Sequence, residues 1–161
     1  MTAETTPETA DLPEALAEVV TDFSETAADD RLQLLLEFAS DLPELPEKYT
    51  DHPELLEPVP ECQSPIFLVT EVETPEAGEA AVVRLHFSAP PESPTTRGFA
   101  GILHEGLDGA TAEVILSIPS DLPLRLSLSD LVSPLRLRGM SGMLSRIQRQ
   151  VSERIGKITV G

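Results

Sequence analysis

Apolar residues at Leu12, Leu16, Val19, Val20 and Phe23 recur at helical spacing, with Pro13 in the first turn, where its missing donor is tolerated. The pattern predicts a short amphipathic helix. A second stripe, Leu32, Leu35, Leu36 and Ala39, follows Asp29-Asp30, either of which is a candidate N-cap, and stops before Leu42-Pro43. Six prolines then fall between positions 43 and 65: Pro43, Pro46, Pro53, Pro58, Pro60 and Pro65. Because proline removes a donor and biases its predecessor away from helix, this stretch is expected to run extended over the surface. The pattern then changes: Ile66 to Val72 and Ala81 to Ser88 are rich in β-branched and apolar residues, with a turn at Pro75-Glu76-Ala77-Gly78. An antiparallel hairpin is the economical reading. Helical spacing returns over Gly98 to Leu107 and, briefly, over Thr111 to Leu116. Leu122 to Leu128 alternates only loosely, and Ser129-Asp130 is read as capping a short turn before Pro134. The longest stripe is Met140, Met143, Leu144, Ile147, Val151 and Ile155, a core-facing terminal helix. Residues 1–10, mostly Thr, Glu and Ala, lack the apolar content to order themselves and predict a flexible acidic tail, leaving 11–161 as a single domain.

A chain of 161 residues is long enough for a hydrophobic core of its own. One cysteine excludes an intramolecular disulfide, no stretch has the length of a membrane span, and the acidic start lacks the basic and apolar regions of a signal peptide. A soluble, cytoplasmic setting is the expectation. Formal net charge is −17, which argues against nucleic acid as a partner. That charge is uneven: residues 1–124 carry 26 acidic and 4 basic side chains, residues 125–161 carry 2 and 7. The basic terminal element either packs beside acidic neighbours in the fold or docks an acidic partner.

Most catalytic signatures fail. His104-Glu105 lacks the second histidine of a zinc-protease helix, and Gly139-Met140-Ser141-Gly142-Met143 lacks the closing glycine of a nucleophile elbow. Neither lysine, Lys48 or Lys157, lies in a glycine-rich phosphate loop, and His52, His86 and His104 show no metal-ligand spacing. Cys62 remains. A lone cysteine is commonly a small buried hydrophobe, yet polar Glu61, Gln63 and Ser64, bracketed by Pro60 and Pro65, place this one on a loop. Glu61 works against the thiolate, so activation has to come from a cation brought by the fold or by a partner.

Pro60-Glu61-Cys62-Gln63-Ser64, followed by an apolar strand, resembles the Gly-Cys-Gln-Ser segment of the SufE family of sulfur acceptors. Arg97-Gly98 resembles that family's Lys/Arg-Gly segment. Leu131-Val132-Ser133-Pro134-Leu135-Arg136-Leu137-Arg138-Gly139-Met140 is similar to its Ser-Pro-x-Arg-x-x-Gly segment, and Leu42-Pro43-Glu44-Leu45-Pro46 to its Leu-Pro element. The resemblance covers roughly residues 30 to 155. Glu61 stands where glycine is usual, and Pro91-Glu92-Ser93 where the family has Ser-Asp-Ala. What the resemblance implies is an α+β fold, a small antiparallel sheet packed against several helices mainly on one face, similar also to IscU-type scaffolds but without their three cysteine ligands. It further implies a sulfur acceptor and activator of a cysteine desulfurase of the SufS kind, which carries the pyridoxal phosphate, while this chain holds no cofactor or metal. Cys62 accepts persulfide sulfur for an Fe–S cluster assembly scaffold, with Gln63, Ser64 and Arg136 facing the partner. A stand-alone thiol peroxide reductase and a non-catalytic regulatory module are the alternatives.

Overall fold

A computed structural model describes residues 12–156. In chain order it contains α1 (Glu14–Glu25), α2 (Ala28–Asp41), α3 (Glu47–Thr50), β1 (Glu57–Pro58), β2 (Phe67–Glu73), β3 (Val82–Ser88), α4 (Pro94–Leu107), α5 (Ala112–Leu116) and α6 (Pro134–Arg154), with four 3-10 stretches in the connections. The strands form one antiparallel sheet in the order β1-β2-β3. Successive side chains of a strand point to opposite faces, so the register Leu68↔Phe87, Thr70↔Leu85 and Val72↔Val83 sets one row toward the helices. Leu68, Val83, Leu85 and Phe87 on that row join α1, α4 and α6 side chains in one apolar core. On the other face Val69 lies with Tyr49 and Leu56 in a separate small cluster supplied by the proline-rich strap. The α+β expectation is met, with helices on the main core face.

Two helices approach closely through glycine. A Cβ on Gly98 would lie 2.6 Å from the Leu35 carbonyl oxygen, and one on Gly101 only 2.2 Å from that of Phe38, so α4 sits on the α2 backbone itself. Arg97 closes the same corner by donating to the carbonyls of Ala39 (2.9 Å) and Ala89 (2.6 Å).

The elements depart from the sequence reading at particular places. The proline stretch is not uniformly extended: Pro46 precedes α3, Pro53 and Pro60 open 3-10 turns, and Pro58 lies in the edge strand, paired with Phe67. Each proline takes a position where a missing donor is harmless. α2 starts at Ala28, so Asp29 and Asp30 lie in its first turn rather than at the cap. There they favour the positive end of the helix dipole. α6 begins at Pro134, well before Met140. Its cap is Ser133, whose hydroxyl accepts from the Arg136 N–H at 3.3 Å; Ser129 and Asp130 lie in a separate turn before it, closed by the Leu131 N–H on the Leu128 carbonyl at 2.9 Å. The hairpin turn is a longer 3-10 stretch, Pro75–Ala80, in which Gly78 has φ 62 and ψ −127, a conformation open essentially to glycine. The acidic tail expected over residues 1–10 lies outside the described residues. Among those described, no helix is long and apolar enough to cross a membrane.

Candidate functional site: a sheltered thiol on a pinned loop

β1 and β2 are joined by a short loop whose neck is buried and whose tip is largely exposed. Val59 and Ile66 are both 1% exposed, and the Val59 N–H donates to the Ile66 carbonyl at 3.0 Å. Between them Pro60, Glu61, Gln63 and Pro65 are exposed, while Cys62 and Ser64 are half-buried. Pro60 starts a 3-10 turn, the Gln63 N–H donates back to its carbonyl at 3.0 Å, and Gln63 takes left-handed backbone angles, φ 55 and ψ 18. A non-glycine residue there carries local strain of about 1 kcal/mol. The loop is thus folded tightly enough to turn the thiol inward.

What receives it is α6. The Cys62 thiol points at the Gly139 carbonyl, 3.5 Å away, and a Cβ on Gly139 would lie 3.0 Å from Sγ and 3.1 Å from Cα of Cys62. One turn along, a Cβ on Gly142 would lie 3.0 Å from the Glu61 carboxyl carbon. The two glycines form a notch that admits consecutive loop residues. Next on that face comes Arg146, whose Nη1 lies 2.8 Å from Glu61 Oε1 and donates to the Gly142 carbonyl at 3.2 Å. Its Nε lies 3.3 Å from Glu57 Oε2, without hydrogen-bond alignment. Arg149 also pairs with Glu57, and Gln150 Nε2 donates to it at 2.9 Å. The Gln150 carbonyl in turn accepts from the N–H (2.8 Å) and hydroxyl (3.1 Å) of Thr70 in β2.

These neighbours set the proton affinities. Burial, then the Glu61 charge, push the Cys62 thiol up to about 12, against a smaller opposing pull from Arg146. Almost no thiolate is present at neutral pH in this position. Glu61 is held below the ordinary carboxylate range by its own backbone N–H, then by Arg146. Burial works against Glu57, but the bonds from Gln150 and Arg149 outweigh it and its pKa is lowered. Among the described residues no group of histidines, cysteines and carboxylates has the geometry to hold a metal ion.

Of the residues singled out from the sequence, Cys62, Gln63 and Ser64 share the loop. The Gln63 side chain is exposed, whereas the Ser64 hydroxyl accepts from that of Ser93 at 3.0 Å, tying the loop to the start of α4. Arg136 lies one turn before Gly139 on α6, exposed, and its guanidinium has no ion-pair partner among the described residues. The sequence reading missed Arg146, Glu57 and Gly142. Gly139, Gly142 and Arg146 stand at i, i+3 and i+7, a spacing that places small, small and cationic residues on one helix face.

A three-stranded antiparallel sheet under helices, with a single cysteine on the loop between its first two strands, defines the class as an α+β protein built around one half-sheltered thiol. The profile of the SufE family, described as an Fe-S metabolism associated domain, matches residues 17–151. Curated relatives from two strains of Mycobacterium tuberculosis, each described as an uncharacterized SufE-like protein, are 55% identical over 144 residues, covering 89% of this chain and 96% of theirs. A solution structure of a hypothetical protein from Thermus thermophilus is similar with a TM-score of 0.77 at 36% identity, over 90% of this chain and 98% of that one. The chain belongs to the SufE family and, with it, to Fe–S metabolism.

Proposed function

We propose that this protein accepts sulfane sulfur on Cys62 from a cysteine desulfurase, stimulates that enzyme by clearing its persulfide, and hands the sulfur to an Fe–S assembly scaffold. The Cys62 thiolate attacks the outer sulfur of the donor persulfide. A new S–S bond forms on Cys62, the donor's S–S bond breaks, and the donor cysteine leaves as thiolate, with no net oxidation. One observation carries this reading: Cys62 is half-sheltered against α6 on a loop with a fixed neck, where burial raises the thiol's pKa, an arrangement suited to a thiol that reacts only when brought out to another protein. A stand-alone peroxide reductase needs a standing thiolate, which this position opposes.

Support for a docked partner lies at the start of α6. Leu124, Leu131 and Leu135 are exposed large apolar side chains, and Leu124 lines a groove of about 300 Å³ together with Asp121, Pro123, Pro134, Leu137 and Arg138. Arg136 and Arg138 stand beside it without ion-pair partners among the described residues. Exposed apolar side chains with Arg136 and Arg138 on the same helix, on a chain of net charge −17, favour an acidic face of the desulfurase.

Mass spectrometry after incubation with a desulfurase and cysteine tests the reading. The expected result is a gain of one sulfur atom on Cys62, absent in Cys62→Ser, together with loss of desulfurase stimulation. Peroxide turnover by the protein alone would overturn it in favour of a reductase, and undiminished stimulation by Cys62→Ser in favour of a regulatory module.

A further inference from the structure

Three polar contacts among the described residues tie the loop tip to the rest of the molecule: Glu61 to Arg146 at 2.8 Å, Ser64 to Ser93 at 3.0 Å, and the weak thiol contact to Gly139 at 3.5 Å. Only the first joins opposite charges. It also has a prepared seat, because the hydrogen side chain of Gly142 leaves the space that the Glu61 carboxyl fills. Arg146 does not depend on the loop for its position. Glu57, at the edge strand, lies against its Nε, and Glu57 is itself held by Arg149 and Gln150. When Glu61 departs, the guanidinium therefore stays where it is, ready for the carboxylate to return. The side chain of Glu61 is 39% exposed and that of Arg146 20%, so the pair sits at the rim, where water and salt reach it.

We propose that the Glu61–Arg146 ion pair is a latch that keeps the Cys62 loop closed on α6, with Arg146 as its fixed positioning half and Glu61 as the half that moves. The proposal rests on the reading that Cys62 must leave its shelter to react, and it deepens that reading by naming what opening must break. A glutamate directly before the cysteine, where the family usually has glycine, then has a purpose: it exchanges a freely swinging loop for one that is closed until the pair is parted.

The test is the rate at which Cys62 is alkylated by iodoacetamide, a neutral reagent, at fixed pH, with no desulfurase present. Glu61→Gln removes the charge, whereas Glu61→Asp keeps it but falls one methylene short of Arg146. Gly142→Ala fills the seat and leaves every charge in place. All three variants are expected to react about two- to fivefold faster than the parent at low ionic strength, the scale of a rim ion pair of favourable geometry. Salt near about 1 M should accelerate the parent by a similar factor and leave Glu61→Gln almost unchanged. A merely structural role would lower the melting temperature without producing that salt dependence. If Glu61→Asp reacts at the parental rate while Glu61→Gln is fast, the carboxylate acts only through its field on the thiol and the latch is refuted; a parental rate indifferent to salt refutes it equally. The two readings separate. A latch that behaves as expected with no sulfur on Cys62 after desulfurase treatment removes the acceptor function alone, and an adduct formed on a loop insensitive to these changes removes the latch alone.

Discussion

Cys62 is quiet for reasons that can be read atom by atom: a thiol facing a carbonyl, flanked by a carboxylate and withdrawn from water, keeps its proton. Arg136 is the complementary case, a charged group whose guanidinium has no ion-pair partner among the described residues. Its backbone N–H supports the α6 cap, a contact any residue but proline supplies, and its side chain is exposed. Arg136→Ala should therefore change the melting temperature by no more than about 2 °C, as for other exposed substitutions. Stimulation of the desulfurase should fall roughly tenfold if the guanidinium meets a partner carboxylate. Parallel thermal melts and desulfurase assays check this, and equal losses in both would assign Arg136 to the fold alone.

At the scale of elements, α2 and α4 make the closest backbone approach at any described glycine. Gly101→Ala would set a methyl 2.2 Å from a backbone oxygen that no rotamer can move. A loss of about 3 kcal/mol or more is expected despite alanine's better helix propensity, a fall of roughly 10 °C in melting temperature by calorimetry. The stripes of α1, α2, α4 and α6 and the β2–β3 hairpin were legible because burial imposes a period on the sequence. β1 was not, since two residues including Pro58 carry no period. The first turns of α6 escaped because Pro134 reads as a breaker unless it falls at the first helical position, where it starts a helix instead. Cys62 was legible from its motif and its polar neighbours. Arg146 was not, because its pairing with Glu57 and Glu61 exists only once α6 has been laid across the loop.

Across the whole molecule, the segregated charge resolves largely inside the fold. Among the described residues, Arg125 pairs with Asp121, Arg146 and Arg149 with Glu57, Glu61 and Glu153, and Arg154 donates to the Thr70 carbonyl, which leaves Arg136 and Arg138 facing outward. On the far face of the sheet Glu71 gathers Lys48 (2.5 Å), Tyr49 and His86 (3.2 Å), fastening the proline-rich strap. Although burial opposes it, bonds from Lys48, Tyr49 and His86 hold the Glu71 carboxyl at about 2, down from 4.5. A carboxyl depressed on folding stabilises the fold above its unfolded value and loses that contribution as pH falls through its folded one. Thermal stability should accordingly decline between pH 4.5 and about 2, and Glu71→Gln should start lower and decline less steeply; parallel slopes would deny Glu71 that role. The sealed neck at Val59 and Ile66 has a last consequence. Cys62 lies only three positions along the chain from Val59, and an extended chain covers at most about 3.5 Å per residue, so the sulfur is on a leash of roughly 10 Å. Under the proposed function, delivery is then a question of parking: whichever protein supplies or collects the cargo has to bring its own reactive atom inside that radius, since the neck between Val59 and Ile66 is buried and hydrogen-bonded.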